Sequence, residues 1–539
     1  MIVILSLITF TQQIIPDFST REINEAKVNG WILSDKTDEQ GIRRRTYIEK
    51  RGETEVRQGF FASWFKDGKP RSIIHFRDGI PEGETISWYA NGNMASKGLM
   101  HQNRRSGRWI TWNPDATKSK KGNYVNGSEH GNWDIWYSNG KLAAKGGFRD
   151  GLQSGSWQFF NSDGSVFKTV TFTEGLVSSK PRDRTIIVPP KQPPATPMVV
   201  KVDLRMELLA VVQSLTDWPS FGAWDSYNDP YQQDVAKWFG KFKTHPAVVK
   251  YNAMLDADTN FAFDGPVKWV LHYTDPPEFK KLTILPKVIA ERGGSEAQLD
   301  ELAELMRQFV VDTKFMEFVQ KQEGFYKSLL DDYAKVSPGQ KGVQLVSDYY
   351  GETRSSITAI ICPLFGGGNY GPQIEIDGRK LIYNVGAPND FVNGKFTFEK
   401  DELRSLVFHE FGHSFSNPGV DESPQLAKLE SKLFPGVSNR MSAIAYGSWG
   451  ATCYELFNRT HEIRLLELSG NPKQARKVLA DYFRLGFVWL PYTLNRLHEF
   501  ESNRTKYPTI HPFMPRLTSI LEETEPFVVD GVTLCVLPK

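Results

Sequence analysis

Residues 406–418 read LVFHEFGHSFSNP, which sets His409 and His413 four apart around Glu410 in a chain with ten histidines among 539 residues. Four residues turn an α-helix through about 400°, so both imidazoles fall on one face and can reach one metal ion. Glu410, next to the first histidine, can then take a proton from an attacking water, which is the division of labour in zinc-dependent hydrolysis. The competing reading is a core helix that spells the pattern by chance. With histidine this scarce, chance is expected on the order of once in 100 such chains.

A catalytic zinc takes three protein ligands and keeps one position open. The continuation HSFSNPGVDES lacks the H-x-x-G-x-x-H extension, so a third histidine in the metzincin manner is excluded. A carboxylate on a later helix is expected instead. The segment SWGATCYELFNRTHEIRLLEL offers Glu455, which is 42 residues after His413, and Glu462, seven residues further on and on the same helical face. Whichever does not bind metal can orient a histidine or pair with Arg459. Hydrolysis also needs a donor for the developing oxyanion, and Tyr446, Tyr454, His461, His498 and His511 all remain open for that role.

These residues need a rigid helix and a sheet beside it. Thr397 is a plausible N-cap, Glu399, Asp401 and Glu402 fall in the first turn where the helix dipole favours carboxylates, and Pro418 is placed just past the end. Upstream, SSITAIICPLF, PQIEID and KLIYNVG read as strands of a small antiparallel sheet, with IDGRK as a turn. KLIYNVG is a candidate sheet edge for an extended peptide substrate. Gly366–Gly368 lack a following Gly-Lys-Ser/Thr or helix and read as a loop, not a phosphate cradle. From Val202 to the C-terminus, HEFGHSFSNP followed by a helix of form Y-E-x-x-x-R resembles an uncharacterised bacterial domain family taken to be zinc metallopeptidases of the gluzincin type. That resemblance implies Zn2+ on His409, His413 and Glu455, Glu410 as general base, and a peptide or protein substrate. THEIR at 460–464 keeps Glu462 in contention as the ligand.

The first third of the chain is built differently. Gly59, Gly83, Gly107, Gly131 and Gly155 recur every 24 residues, and Trp64, Trp88, Trp112, Trp136 and Phe160 follow them by five. Each unit alternates aromatics around an N-G or D-G turn, the spelling of a β-hairpin, and a stack of hairpins can bury an aromatic stripe that one cannot. These units, from about Arg57 to Gly175, resemble MORN-type repeats in the variant form common in bacterial proteins. Between Lys50 and Gly175 there are 18 Lys/Arg against 12 Asp/Glu, a difference of +6, so a protein, glycan or lipid ligand fits the array. Six prolines in SSKPRDRTIIVPPKQPPATP then mark an extended spacer open to proteases.

The fold class is therefore α+β: a possible signal peptide at 1–15, an all-β stacked-hairpin array at 30–178, a proline-rich linker at 179–200, and a mainly helical zincin-like domain with a small antiparallel sheet at 201–539. A formal net charge of +2 gives no reason to expect nucleic acid. The three cysteines are too far apart for a disulfide framework or a thiolate site. The apolar run Ile2–Phe10 has the length of a signal-peptide core, which points to a secreted or periplasmic protein rather than an integral membrane one; without that signal the place is the cytoplasm. The leading expectation is an exported zinc metallopeptidase positioned by its repeats. The alternative is a non-catalytic interaction protein that works through the array, with an inactive metallopeptidase-like domain.

Overall fold

The computed structural model describes residues 20–38, 41–52, 54–178, 180–216, 229–256, 261–365, 369–388, 390–392 and 395–539. The opening apolar run and Gly366–Gly368 lie outside the described residues. No helix among the described residues is long and apolar enough to cross a membrane.

The repeats form one antiparallel meander of 13 strands, from Ile32–Thr37 to Leu176–Val177, in which every strand pairs with its neighbours in sequence. Each period-24 unit contributes two strands. The packing of its aromatics departs from the expected stripe. Trp109, Trp133 and Trp157 are buried, whereas of the expected series Trp88 alone is buried and Trp64, Trp112, Trp136 and Phe160 are half-exposed. The buried rings alternate with Tyr124, Phe148 and Phe172 in a run of edge-on contacts, with centroids 5.0–6.3 Å apart. A second glycine series makes this possible: a Cβ on Gly98, Gly122 or Gly146 would lie 2.1–2.2 Å from the indole of Trp109, Trp133 or Trp157. Those glycines are the floor on which each indole lies flat.

The C-terminal half is mainly helical, with a four-stranded sheet in the order Met198–Lys201, Ser356–Ile361, Arg379–Gly386, Gln373–Ile376. The sheet is mixed, which corrects the antiparallel expectation. The first two pairings are parallel, and the last is an antiparallel hairpin. Strand Met198–Lys201 is separated from Ser356–Ile361 by a long helical crossover, the connection a parallel pair requires. Ser356–Ile361 and the second half of Arg379–Gly386 are buried on both faces, so neither run alternates apolar with exposed polar residues, and Thr358 and Asn384 are buried with the rest. The hairpin turns on Asp377 and Gly378, with φ of 52° and 72°, the left-handed pair that a tight Asp-Gly turn demands. KLIYNVG is thus an interior strand; the outer strands are Met198–Lys201 and Gln373–Ile376. One side of the sheet packs on the helices between Leu204 and Val336, and the other on those that carry the motif histidines.

The proline-dense segment is not a free spacer. Arg182 is buried against Glu467, the amide of Ala195 donates to Gln344 at 2.7 Å, and that of Gln192 donates to Asp348 at 2.8 Å. The prolines keep the chain extended, and its backbone donors are satisfied by the helical half, so the strap is laid along that half. The last hairpins of the array dock there too. Phe159 packs on Phe527 at 4.6 Å, the Ser138 amide donates to Asp530 at 2.7 Å, and Val177 to the Tyr492 hydroxyl at 3.3 Å.

Candidate metal centre

His409, Glu410 and His413 lie on helix Lys400–Asp421, the histidine helix. Its N-cap is Glu399, not Thr397, with the Glu399 carboxylate accepting from the Glu402 amide at 2.7 Å. Pro418 lies inside the helix, not beyond it. Its missing N–H frees the carbonyl of Ser414, and Arg354 Nη2 takes that carbonyl at 2.7 Å, so the helix continues to Asp421.

Glu455 and Glu462 lie on helix Trp449–Leu468, the glutamate helix, capped by the Ser448 hydroxyl. The two helices cross at Gly412, where a Cβ would lie 2.4 Å from Asn458 Oδ1. Glycine between the two histidines therefore sets how closely the helices approach. Asn458 Nδ2 donates to the His409 carbonyl at 2.8 Å and fixes their register. On the other flank, a Cβ on Gly371 would lie 2.1 Å from the Glu410 carbonyl oxygen, so the segment leading into strand Gln373–Ile376 runs against the histidine helix.

Three donor groups meet between the helices. His409 Nε2 and His413 Nε2 are 3.2 Å apart, and the two Glu455 oxygens each lie 3.4 Å from one of them. Ligands at about 2.0–2.2 Å around a tetrahedral ion stand about 3.3–3.6 Å from one another, so the triangle has the size a zinc-sized ion takes. The far side of each ring is also held. His409 Nδ1 lies 3.0 Å from Glu462 Oε2 and His413 Nδ1 lies 3.1 Å from Asn417 Oδ1. Both partners accept, so each Nδ1 carries a proton, and a neutral ring in that tautomer turns its Nε2 lone pair inward. Glu462 is fully buried and takes further hydrogen bonds from the Ser405 hydroxyl and from Tyr482, the latter at 3.0 and 3.1 Å.

The electrostatics favour a cation. Burial opposes charge on His409, but the charge of Glu455 and the hydrogen bonds of Glu455 and Glu462 outweigh it and hold the imidazole at about 10. Burial and the neighbouring His409 push His413 down to about 4. One positive charge is thus welcome between the rings, and a second proton is not. Burial opposes ionisation of Glu455, yet His409 and Arg459 keep its carboxyl well below the usual range. Burial lifts Glu410 to about 7, where it can both accept and release a proton.

Of the five downstream candidates for oxyanion donor, Tyr446 comes nearest the cluster, with its hydroxyl 2.9 Å from Arg459 Nη2, the group that pairs with Glu455 at 2.8 Å. His461 is fully buried against Tyr349, Tyr454 is tied to Asp421, and His498 and His511 face Asp183 and Glu352 away from the cluster. Sequence reasoning missed Tyr482, which lies on the next helix, Pro472–Leu485, with Arg459 stacked 4.0 Å over its ring. Nothing local distinguishes it from other helical tyrosines. A cavity of about 850 Å³ opens at Ser405 and Tyr482, the partners of Glu462, and is walled also by Leu406, Phe365, Glu402 and Lys477; His409, Glu410, His413 and Glu455 do not line it.

A hairpin array joined to a mainly helical half, with a buried His-His-Glu cluster on two crossing helices, defines the class of chain. The helical half places it further: residues 198–520 match the family described as a domain of unknown function (DUF4932), and the chain belongs to that family. Residues 81–102 match the MORN repeat variant. No curated protein matches the chain.

Proposed function

We propose that the protein is a zinc-dependent peptide hydrolase. The observation that carries this reading is the 3.2–3.4 Å triangle of His409, His413 and Glu455, with Glu410 one residue from the first ligand. His409, His413 and Glu455 would hold the zinc, which would supply Lewis acidity to the scissile carbonyl. Glu410 takes the proton of the attacking water and hands it to the leaving amine, a two-way transfer suited to a carboxyl near 7. Glu462, with Ser405 and Tyr482 behind it, keeps His409 in the tautomer that binds metal. Tyr446 stands as the donor for the oxyanion, steadied by Arg459. The outer edge of Gln373–Ile376 offers unpaired backbone to an extended peptide, and Gly371 brings the approach to that strand against Glu410.

The test is zinc content together with hydrolysis of a peptide library. The wild type should bind one zinc per chain and cleave, His409→Ala should lose both, and Glu410→Gln should keep zinc and lose cleavage. A wild type that binds no zinc, or an active Glu410→Gln, would sink the proposal.

A further inference from the structure

The array has one face spoken for and one left open. Residues paired across strands share a face. On the first face the row Ser87, Ser96, Thr111, Lys120, Ile135, Ala144, Phe159 turns apolar at its C-terminal end, where Ile135, Ala144 and Phe159 enter the core of the helical half. On the opposite face the row runs Ala62, Ile73, Ile86, Lys97, Ile110, Lys121, Asp134, Lys145, Gln158, Thr169. Its first members lie in the core capped by Ala26 of helix Thr20–Asn29. The remainder is exposed or half-exposed, and there Lys97, Lys121 and Lys145 recur every 24 residues.

Three features of this open face select a ligand. Strands lie about 4.8 Å apart, so the lysines recur about every 9.6 Å, with Asp134 on the rung between the last two. Half-exposed rings hold the ammonium groups: Lys145 lies 5.8 Å over Phe160 and Lys118 lies 6.0 Å over Trp136. Lys118, Lys121 and Lys145 make no ion pair among the described residues, whereas Lys97 pairs with Glu84 at 2.9 Å, so the open cations of the row are Lys121 and Lys145. Beside Lys145, a recess of about 400 Å³ is lined by Asn132, Asp134, Ser156, Gln158 and Thr169, amide, hydroxyl and carboxylate groups of the kind that read sugar hydroxyls.

We propose that this face binds a linear acidic polysaccharide with one carboxylate on every second sugar. The cations, two strands apart, meet the carboxylates, and the amides and hydroxyls of the recess meet the sugar between. A nucleic acid carries a phosphate on every nucleotide and would set one against Asp134. A membrane would call for a projecting apolar wedge, and the rings here lie under lysines.

The test uses the full chain with hyaluronan, an alternating, unsulfated uronate polymer, in affinity electrophoresis, with dextran and anionic phospholipid vesicles as controls. Hyaluronan should retard the protein, salt should weaken the effect, and the double variant K121E/K145E should bind roughly tenfold more weakly with an unchanged circular dichroism spectrum. Gln158→Ala, which removes no charge, should also weaken binding. No retardation by hyaluronan, equal retardation by dextran, binding confined to vesicles, or full binding by K121E/K145E would each overturn the proposal.

Discussion

Glu455 has two neighbours that pull in different directions, and separating them tests the metal centre. Its carboxylate faces both histidine Nε2 atoms at 3.4 Å and pairs with Arg459 at 2.8 Å, with side-chain exposures of 11% and 10% for the pair. Glu455→Ala removes the proposed third ligand and also strands a buried guanidinium. Breaking a buried ion pair from one side costs about 3–5 kcal/mol. At about 2–4 °C per kcal/mol for a domain of this size, the chelator-treated protein should melt at least about 6 °C lower. The double variant E455A/R459M removes both charges and fills the space with an apolar chain, a replacement that is often neutral. It should recover most of the lost melting temperature and still bind no zinc. The assay pairs melting curves in chelator, which removes any contribution from bound metal, with zinc measured by mass spectrometry after dialysis. One zinc per chain in the double variant would refute the reasoning, because it would mean that Glu455 is held in place by Arg459 alone.

Three further outcomes follow from other parts of the molecule. Burial lifts Glu207 from 4.5 to about 7 against hydrogen bonds from Tyr231, Cys362 and Tyr326. The folded state therefore keeps a proton that the unfolded chain releases, and stability falls as pH rises from 4.5 to about 7. Glu207→Gln should gain on the wild type by about 3 kcal/mol between pH 4 and pH 8 in denaturant titrations, and a constant difference would contradict this. Limited proteolysis should spare residues 180–197 in the wild type, and Arg182→Ala, which breaks the buried pair with Glu467, should open them; cutting there first in the wild type would mean the strap is not docked. Gly122→Ala places a methyl 2.1 Å from the Trp133 indole, so it should cost about 1–3 kcal/mol and shift tryptophan fluorescence to the red, and an unchanged spectrum would count against the glycine floor.

The histidine pair and the repeat were legible because both are local. His409, Glu410 and His413 lie within one and a half turns of one helix, and the 24-residue period is visible without any tertiary knowledge. Glu455 and Glu462 share a helical face, and only the crossing of two helices separates them: Glu455 faces the inner nitrogens and Glu462 the outer nitrogen of His409. Long-range relations were the part not legible. The spacing that singled out Trp112 and Trp136 is shared by Trp109 and Trp133, and which set is buried depends on Gly98 and Gly122 one strand away. The parallel pairing had a faint trace in Ser356–Ile361, where Ile357, Ala359, Ile360 and Ile361 are interrupted only by Thr358, a pattern alternating antiparallel strands seldom show. Proline density gave the strap's extended shape, but its docking depends on Glu467, Gln344 and Asp348, far away in sequence.

The array is pinned at one end. Phe159, Ser138 and Val177 hold its last hairpins to Phe527, Asp530 and Tyr492, while the earlier hairpins make their contacts within the sheet and with helix Thr20–Asn29. Duplication or loss of a unit is therefore not equivalent along its length. A unit gained or lost near Gly83 moves the far tip by about 9.6 Å and leaves the docked end in place. The same event after Gly131 shifts Phe159 and Ser138 out of register with their partners. The reach of the array can thus be changed from its N-terminal side without disturbing the helical half.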